Sequence, residues 1–275
     1  GRQTNIASKY VGAWDPFQAS FMQANAGTSF SYANTVRYDN MVMYQTPNFS
    51  GFQFGIGYSF NADGTQNFDS DDLVDPLTGE SLDNPKDSNA RVLTTGLRYT
   101  NGPIDVSLTY DQMWAGQNSN QNSIGPDDNI KKKEWNIGGS YDFEVVKAYL
   151  AYGQTRDGLF SATGIIAPNN AVVGALNSNS ANLEGMRINN YLVGLSAPIG
   201  NGSLLASWQM ADPKDAADAF SDGEMDNKLQ IYSLGYTYNL SKRTNLYAFG
   251  SYAKHVAFQD DLKSTQVAVG LRHQF

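Results

Sequence analysis

The sequence predicts an all-β chain, an antiparallel up-and-down transmembrane β-barrel of which about eleven strands are present. Three observations predict it. Large apolar residues alternate with small or polar ones at a period of two, connections alternate between very short and long, and the composition favours strands and tight turns, with Gly 26, Tyr 16 and Phe 14 among 275 residues. With no Cys and only two His, disulfides and thiolate metal sites are excluded. No run of about eighteen apolar residues exists, which rules out a membrane-crossing helix. A crossing strand needs only about 9 to 11 residues with every second one apolar, so a hydrophilic average remains compatible with a barrel. The net charge of -8 argues against a nucleic-acid partner.

Strands are predicted at 36–46, 51–61, 90–100, 103–114, 132–143, 145–156, 187–197, 202–211, 228–240, 243–255 and 264–275. The second is the clearest: Phe52, Phe54, Ile56, Tyr58 and Phe60 interleave with Gln53, Gly55, Gly57 and Ser59. The pattern returns in Ile104, Val106, Leu108 and Tyr110 against Asp105, Ser107, Thr109 and Asp111. It returns again in Trp135, Ile137, Gly139, Tyr141 and Phe143 against Asn136, Gly138, Ser140 and Asp142. Short turns run from Pro47 to Gly51, Asn101 to Pro103, Asp142 to Val145, Pro198 to Gly202 and Leu240 to Arg243, and long loops cover 62–89, 115–131, 157–186, 212–227 and 256–263. Short turns at one end and long loops at the other are the layout of an outer-membrane barrel, turns toward the periplasm and loops outside. Aromatics near strand ends (Tyr44, Phe60, Tyr99, Tyr141, Phe143, Tyr238, Phe275) suit a girdle at the lipid headgroups.

The final strand runs toward the periplasm, so the first, 36–46, starts outside. Even strand counts and periplasmic termini then call for an odd number of strands ahead of Gly1, and residues 1–35 read as a loop. The absence of a start Met or export signal agrees with an upstream segment. An unclosed sheet would leave bare edges in lipid.

Three stretches resemble the trimeric general porins of Gram-negative bacteria, of the neisserial and β-proteobacterial type. The carboxy terminus Val267 to Phe275, alternating and ending on Phe, looks like the signal read by the outer-membrane assembly machinery. Gly1-Arg2-Gln3 looks like the end of the family's fifth strand, and Tyr44 to Phe52 is similar to its sixth strand and following turn. The resemblance implies five missing strands and sixteen in all, a homotrimer, and passive diffusion of ions and small hydrophilic solutes through a water-filled channel. Membrane lipid, lipopolysaccharide and the barrel-assembly machinery are the implied partners. No cofactor, metal or catalytic residue is implied. The alternative is a non-conducting barrel acting as a surface adhesin or structural anchor.

The resemblance places residues 4–35 as an inward-folded constriction loop, in which Lys9 and Asp15 are the only charges and Tyr10, Trp14, Phe17, Phe21, Phe30 and Tyr32 pack it to the wall. It also implies that Arg2 and Arg37, flanking the loop, line the pore. Parity adds Arg98, Lys147 and Arg272 as inward-register cations. Cations gathered at a constriction favour anions. The resemblance also implies that Phe275 is the assembly signal. The segment Ala62 to Ala90, with eight acids against Lys86, reads as a solvated outer loop; it lacks the spacing of a calcium-binding loop, though divalent cations there would bridge to lipopolysaccharide. His255 beside Asp260 and Asp261 reads as rim charge, with no nucleophile or metal spacing beside it.

Overall fold

The computed structural model describes residues 1–62, 76–78, 90–115, 123–124, 130–159, 165, 182–215 and 227–274. Phe275 lies outside the described residues, as does most of the acidic segment. The chain opens with β1 (Gln3–Thr4), helix α1 (Ile6–Tyr10) and three short 3-10 turns at 11–13, 22–24 and 26–28, then β2 (Arg37–Tyr38), β3 (Met41–Gln45), β4 (Phe52–Ser59), β5 (Arg91–Asn101) and β6 (Ile104–Trp114). After β7 (Ser123–Ile124) come β8 (Lys131–Asp142), β9 (Lys147–Gly158), β10 (Asn182–Ile199), β11 (Gly202–Asp215), β12 (Leu229–Asn239), β13 (Thr244–Lys254) and β14 (Lys263–His273).

The path β3-β4-β5-β6-β8-β9-β10-β11-β12-β13-β14 is antiparallel throughout, each strand pairing with the next main strand in sequence. These are the eleven strands that alternation predicts, joined by the expected short turns at one end. Short β7 lies off the path and pairs with the start of β10. The first expected strand, 36–46, is divided: Asn40 in the left-handed region (φ 50°) breaks it, so Arg37–Tyr38 pairs with Gln3–Thr4 in a separate ribbon and the large sheet begins at Met41. Asn tolerates that conformation better than most residues. No pairing joins β3 to β14 among the described residues.

The two faces of the sheet are chemically opposite. Outward positions expose Val42, Ile56, Leu97, Leu108, Leu150 and Leu234, each more than two-fifths accessible. Leaving such side chains in water forgoes about 1.5–3 kcal/mol apiece, so this face is built for hydrocarbon. Aromatic rings bound the aliphatic zone on both sides. At the turn end Phe52 meets Tyr99 (centroids 4.6 Å apart) and Tyr141 meets Phe143 (4.5 Å). At the loop end Tyr58 meets Phe60 (4.9 Å), and Trp135, Tyr152 and Tyr191 form a chain at 5.3 and 5.1 Å. On β8 the step from Trp135 to Tyr141 is roughly 20 Å of strand, close to the apolar height of an outer-membrane barrel.

The inward face carries residues 5–36. Glycines on β4, β8, β10 and β12 open a shallow track for them: an added Cβ would lie 2.5 Å from Ile6 at Gly55, 2.6 Å from Trp14 at Gly138, 2.7 Å from Pro16 at Gly194 and 3.1 Å from Phe17 at Gly235. Gly→Ala at 138 or 194 is therefore expected to lift the loop and destabilise it by about 1–3 kcal/mol, the usual scale of overpacking. Tryptophan fluorescence of Trp14 and a lower unfolding temperature would register it, whereas unchanged values would mean that the loop does not rest on this track.

Candidate functional site

Residues 5–36 run out and back across the inner wall. On the outgoing limb, α1 turns Ile6, Ala7 and Tyr10 to the wall and leaves Lys9 exposed. Asn5 caps the helix, accepting from the Ser8 N–H at 3.1 Å while its amide donates to Asp111 Oδ1 at 2.8 Å. The Ile6 N–H donates to Thr94 Oγ1 at 2.8 Å. Further along, Phe21 packs edge-on against Tyr247 and Phe249 of β13 (5.1 and 5.7 Å). At the far end the Gln23 amide reaches Ser251 Oγ at 3.1 Å and its N–H donates to Gln266 Oε1 of β14, also at 3.1 Å.

The reversal at the tip is strained. Gln18, Ala19, Phe21 and Met22 all have φ between 50 and 67°, a region that costs non-glycine residues about 1 kcal/mol or more each. Asp15 holds it together. Its carboxylate accepts N–H bonds from Phe17 (2.9 Å), Ala19 (2.8 Å) and Ala26 (3.0 Å), tying the outgoing limb to the return. Burial pushes this carboxyl up to about 6, with the three N–H donors acting in the opposite direction. Asp15 is fully buried, so it fastens the loop and presents no charge to the lumen.

Wall side chains capture the returning limb. Gln209 donates to Ala24 O at 2.8 Å and accepts from Ser29 Oγ at 2.7 Å. Glu134 Oε2 accepts the Tyr32 N–H at 3.1 Å and also the Ser31 N–H, while Lys132 lies 4.9 Å from the Tyr32 ring. Trp14 and Phe30 clasp the two limbs together at 4.9 Å. Sequence reasoning singled out inward cations and passed over these inward polar groups. Parity held the signal: Glu134 alternates with Lys133 and Trp135, just as Arg98 alternates with Leu97 and Tyr99.

The expected cations do not meet at one point. Arg2 is largely exposed, with its Nε 3.5 Å from Asp39, and Arg37 is exposed on the paired ribbon strand; both sit near the loop ends of β3 and β4. Arg98, Lys147 and Arg272 face inward at the turn ends, roughly 20 Å of strand away. Arg98 is closed off by a two-pronged pair with Asp105 (2.8 and 2.6 Å). Lys147 lies 5.4 Å from the Tyr149 ring opposite Asp142, and Arg272 is exposed on the edge strand opposite Asn245.

At the loop end, residues 256–263, read from sequence as an outer loop, partly turn in. Val256, Ala257 and Phe258 are buried with Met186, Ile188, Leu229 and Ile231 on the inner wall. His255 lies 3.9 Å from Asp260. No cluster of three His, Cys, Asp or Glu able to hold a metal exists among the described residues.

A Gram-negative porin family model matches residues 1–256. An outer-membrane porin protein of Bordetella pertussis is 52% identical over 281 residues, covering 100% of this chain. The chain belongs to the Gram-negative porins. It spans 67% of the Bordetella protein and 58% of outer membrane porin protein 32 of Delftia acidovorans, to which it is 29% identical over 258 residues, 88% of this chain. Among solved structures, the anion-selective porin from Comamonas acidovorans superposes with a TM-score of 0.63 at 25% identity, covering 100% of this chain and 73% of that one. Salmonella typhi OmpF shares the fold at a TM-score of 0.62 and 17% identity, with 100% and 73% covered. The porin is thus an outer-membrane β-barrel of a transport family, not an enzyme family.

Asp15→Asn in this porin replaces one acceptor oxygen by an NH2 facing an N–H donor. It is expected to cost about 1–3 kcal/mol locally and to free the loop tip. Single-channel recordings would show added open-channel noise; recordings as quiet as wild type would mean the staple is dispensable.

Proposed function

We propose that the whole porin forms a water-filled passive channel for small hydrophilic solutes that prefers anions, with residues 5–36 as its constriction. The observation that carries this reading is the unequal fate of the loop's two charges: Asp15 is sequestered by three backbone donors, while Lys9 stays exposed on the side of α1 away from the wall. A permeating ion meets the cation and not the acid. Arg37 and Arg2 add exposed positive charge beside the loop, with Asp39 3.5 Å from the Arg2 Nε. The similarity to a porin described as anion-selective supports the same sign.

We further infer that strands upstream of Gly1 continue the pairing that Gly1 begins with Met41 along β3 (N–H to O distances of 2.9 and 3.0 Å) and meet the outer edge of β14, which has no strand partner among the described residues, since unpaired backbone in hydrocarbon costs several kcal/mol per group. The resemblance to trimeric general porins supports a homotrimer, docking among lipopolysaccharide, and hand-over to the assembly machinery through the terminal Phe275.

Planar-bilayer recording on the full-length porin tests the channel. Large openings that close in three equal steps, with a reversal potential of anionic sign, are expected; a folded but silent barrel would overturn the reading. Lys9→Glu should lower the anion-to-cation permeability ratio roughly threefold or more, screening by salt setting the upper limit. Neutralising Arg2 and Arg37 together should move it the same way, and an unchanged reversal potential would remove both from the conducting path. Arg98→Gln should act at the other end by uncovering Asp105, adding a cation-attracting charge to the turn-side vestibule.

A further inference from the structure

Strand register puts three cations in a single cross-strand row on the outward face. Lys133 of β8 stands opposite Arg156 of β9, and Arg156 opposite Arg187 of β10. Their chain neighbours Lys132, Glu134, Thr155, Met186 and Ile188 are buried on the inner side, so the row points away from the lumen. Like charges directly opposite one another destabilise a sheet, and three in succession call for a counter-charge. The protein supplies part of one: Arg187 Nε lies 3.0 Å from Asp215, an exposed carboxylate at the end of the row. Arg156 Nε donates to Gln154 Oε1 at 2.8 Å, a neutral partner. Neither Lys133 nor Arg156 has an ion pair among the described residues.

What lies beneath the row identifies the counter-charge. One outward step toward the turns stand Trp135, Gln154 and Asn189, with the Gln154 amide donating to Asn189 Oδ1 at 2.9 Å. The next step holds Ile137, Tyr152 and Tyr191, and the next Gly139, Leu150 and Val193. Cation, amide, aromatic and aliphatic layers succeed one another at about 6–7 Å per step. That is the polarity sequence of a lipid from phosphate through the interface to the acyl chain. A freely dissolved anion would need only the first layer.

We propose that Lys133, Arg156 and Arg187 bind the phosphate-bearing headgroup of an outer-leaflet lipid. The two guanidinium groups grip phosphate oxygens, Lys133 adds a point charge, and the acyl chains lie along Ile137, Leu150 and Val193. The site rests on the reading of this face as lipid-exposed with the long loops outside, and it is independent of ion selectivity.

Native mass spectrometry of the full-length porin, extracted from outer membranes in mild detergent, tests the proposal with three probes: bisphosphorylated lipid A, the same lipid with its phosphates removed, and inorganic phosphate. Wild type is expected to retain the bisphosphorylated lipid. Removing the phosphates, or making the K133Q/R156Q/R187Q variant, should weaken retention by about tenfold or more, given the usual attraction per surface cation. The turn-side K242Q/R243Q variant should retain it as wild type does. Equal retention by the triple variant, or of the dephosphorylated lipid, would overturn the site; displacement by inorganic phosphate at concentrations comparable with the lipid would reduce it to a simple anion site. The single R156Q variant, at an exposed position, should lose roughly threefold and keeps the test decisive if the triple variant does not fold. Conductance separates the readings, since wild type that holds lipid but passes no current would sink the channel and leave the lipid site standing.

Discussion

Everything in this chain is subordinate to one requirement: in hydrocarbon, each backbone N–H and C=O must find its partner within the protein. Eleven strands meet it by pairing with their neighbours in order, and the short turns follow because an antiparallel neighbour is the cheapest next partner. The ladder then dictates side-chain chemistry by parity alone. Leu97 must face lipid if Arg98 faces water, and a one-residue slip would exchange them along the whole strand. The alternating sequence is therefore a statement about solvent on two sides, more than about strand propensity.

Residues 5–36 lie against the inner wall, and their placement depends on space left by omission. Gly55, Gly138, Gly194 and Gly235 lack the side chains that inward positions elsewhere carry, so Ile6, Trp14, Pro16 and Phe17 approach the wall where a methyl group would collide. Packing holds the limbs while the tip is held electrostatically. The left-handed run from Gln18 to Met22 is unfavourable by itself and persists because Asp15 gathers three N–H groups whose desolvation would otherwise be unpaid.

Strand number, face assignment and the alternation of turns and loops were readable from residues such as Phe52 to Phe60, because a period of two leaves a trace in every strand. The division of 36–46 was not, since Asn40 is compatible with either a strand or a turn until the pairing of Gln3–Thr4 with Arg37–Tyr38 decides between them. The inward turn at Val256 to Phe258 escaped for a different reason: position after a strand at the loop end reads as an outer loop, and three apolar residues reveal that they turn inward only through their burial with Ile188 and Ile231. Charge roles were the least legible. Sequence gives the sign of Asp15 and its place in the loop, but whether a carboxylate faces water or backbone N–H groups depends on where the chain reverses.

That difference bears directly on how a constriction acquires a field. Counting charges in residues 5–36 gives one cation and one anion, a neutral loop. Folding separates them by environment. Three amide dipoles converge on Asp15 and oppose its charge as seen from outside, whereas Lys9 projects from the face of α1 that the wall does not cover. Glu134 and Asp111 repeat the pattern on the wall, each taken up by loop donors. Asp15, Asp111 and Glu134 are consumed in fastening the loop, and under the proposed anion preference the cations left exposed would set the sign of the potential that a passing ion experiences. On that proposal, structural use of one charge type produces functional bias toward the other.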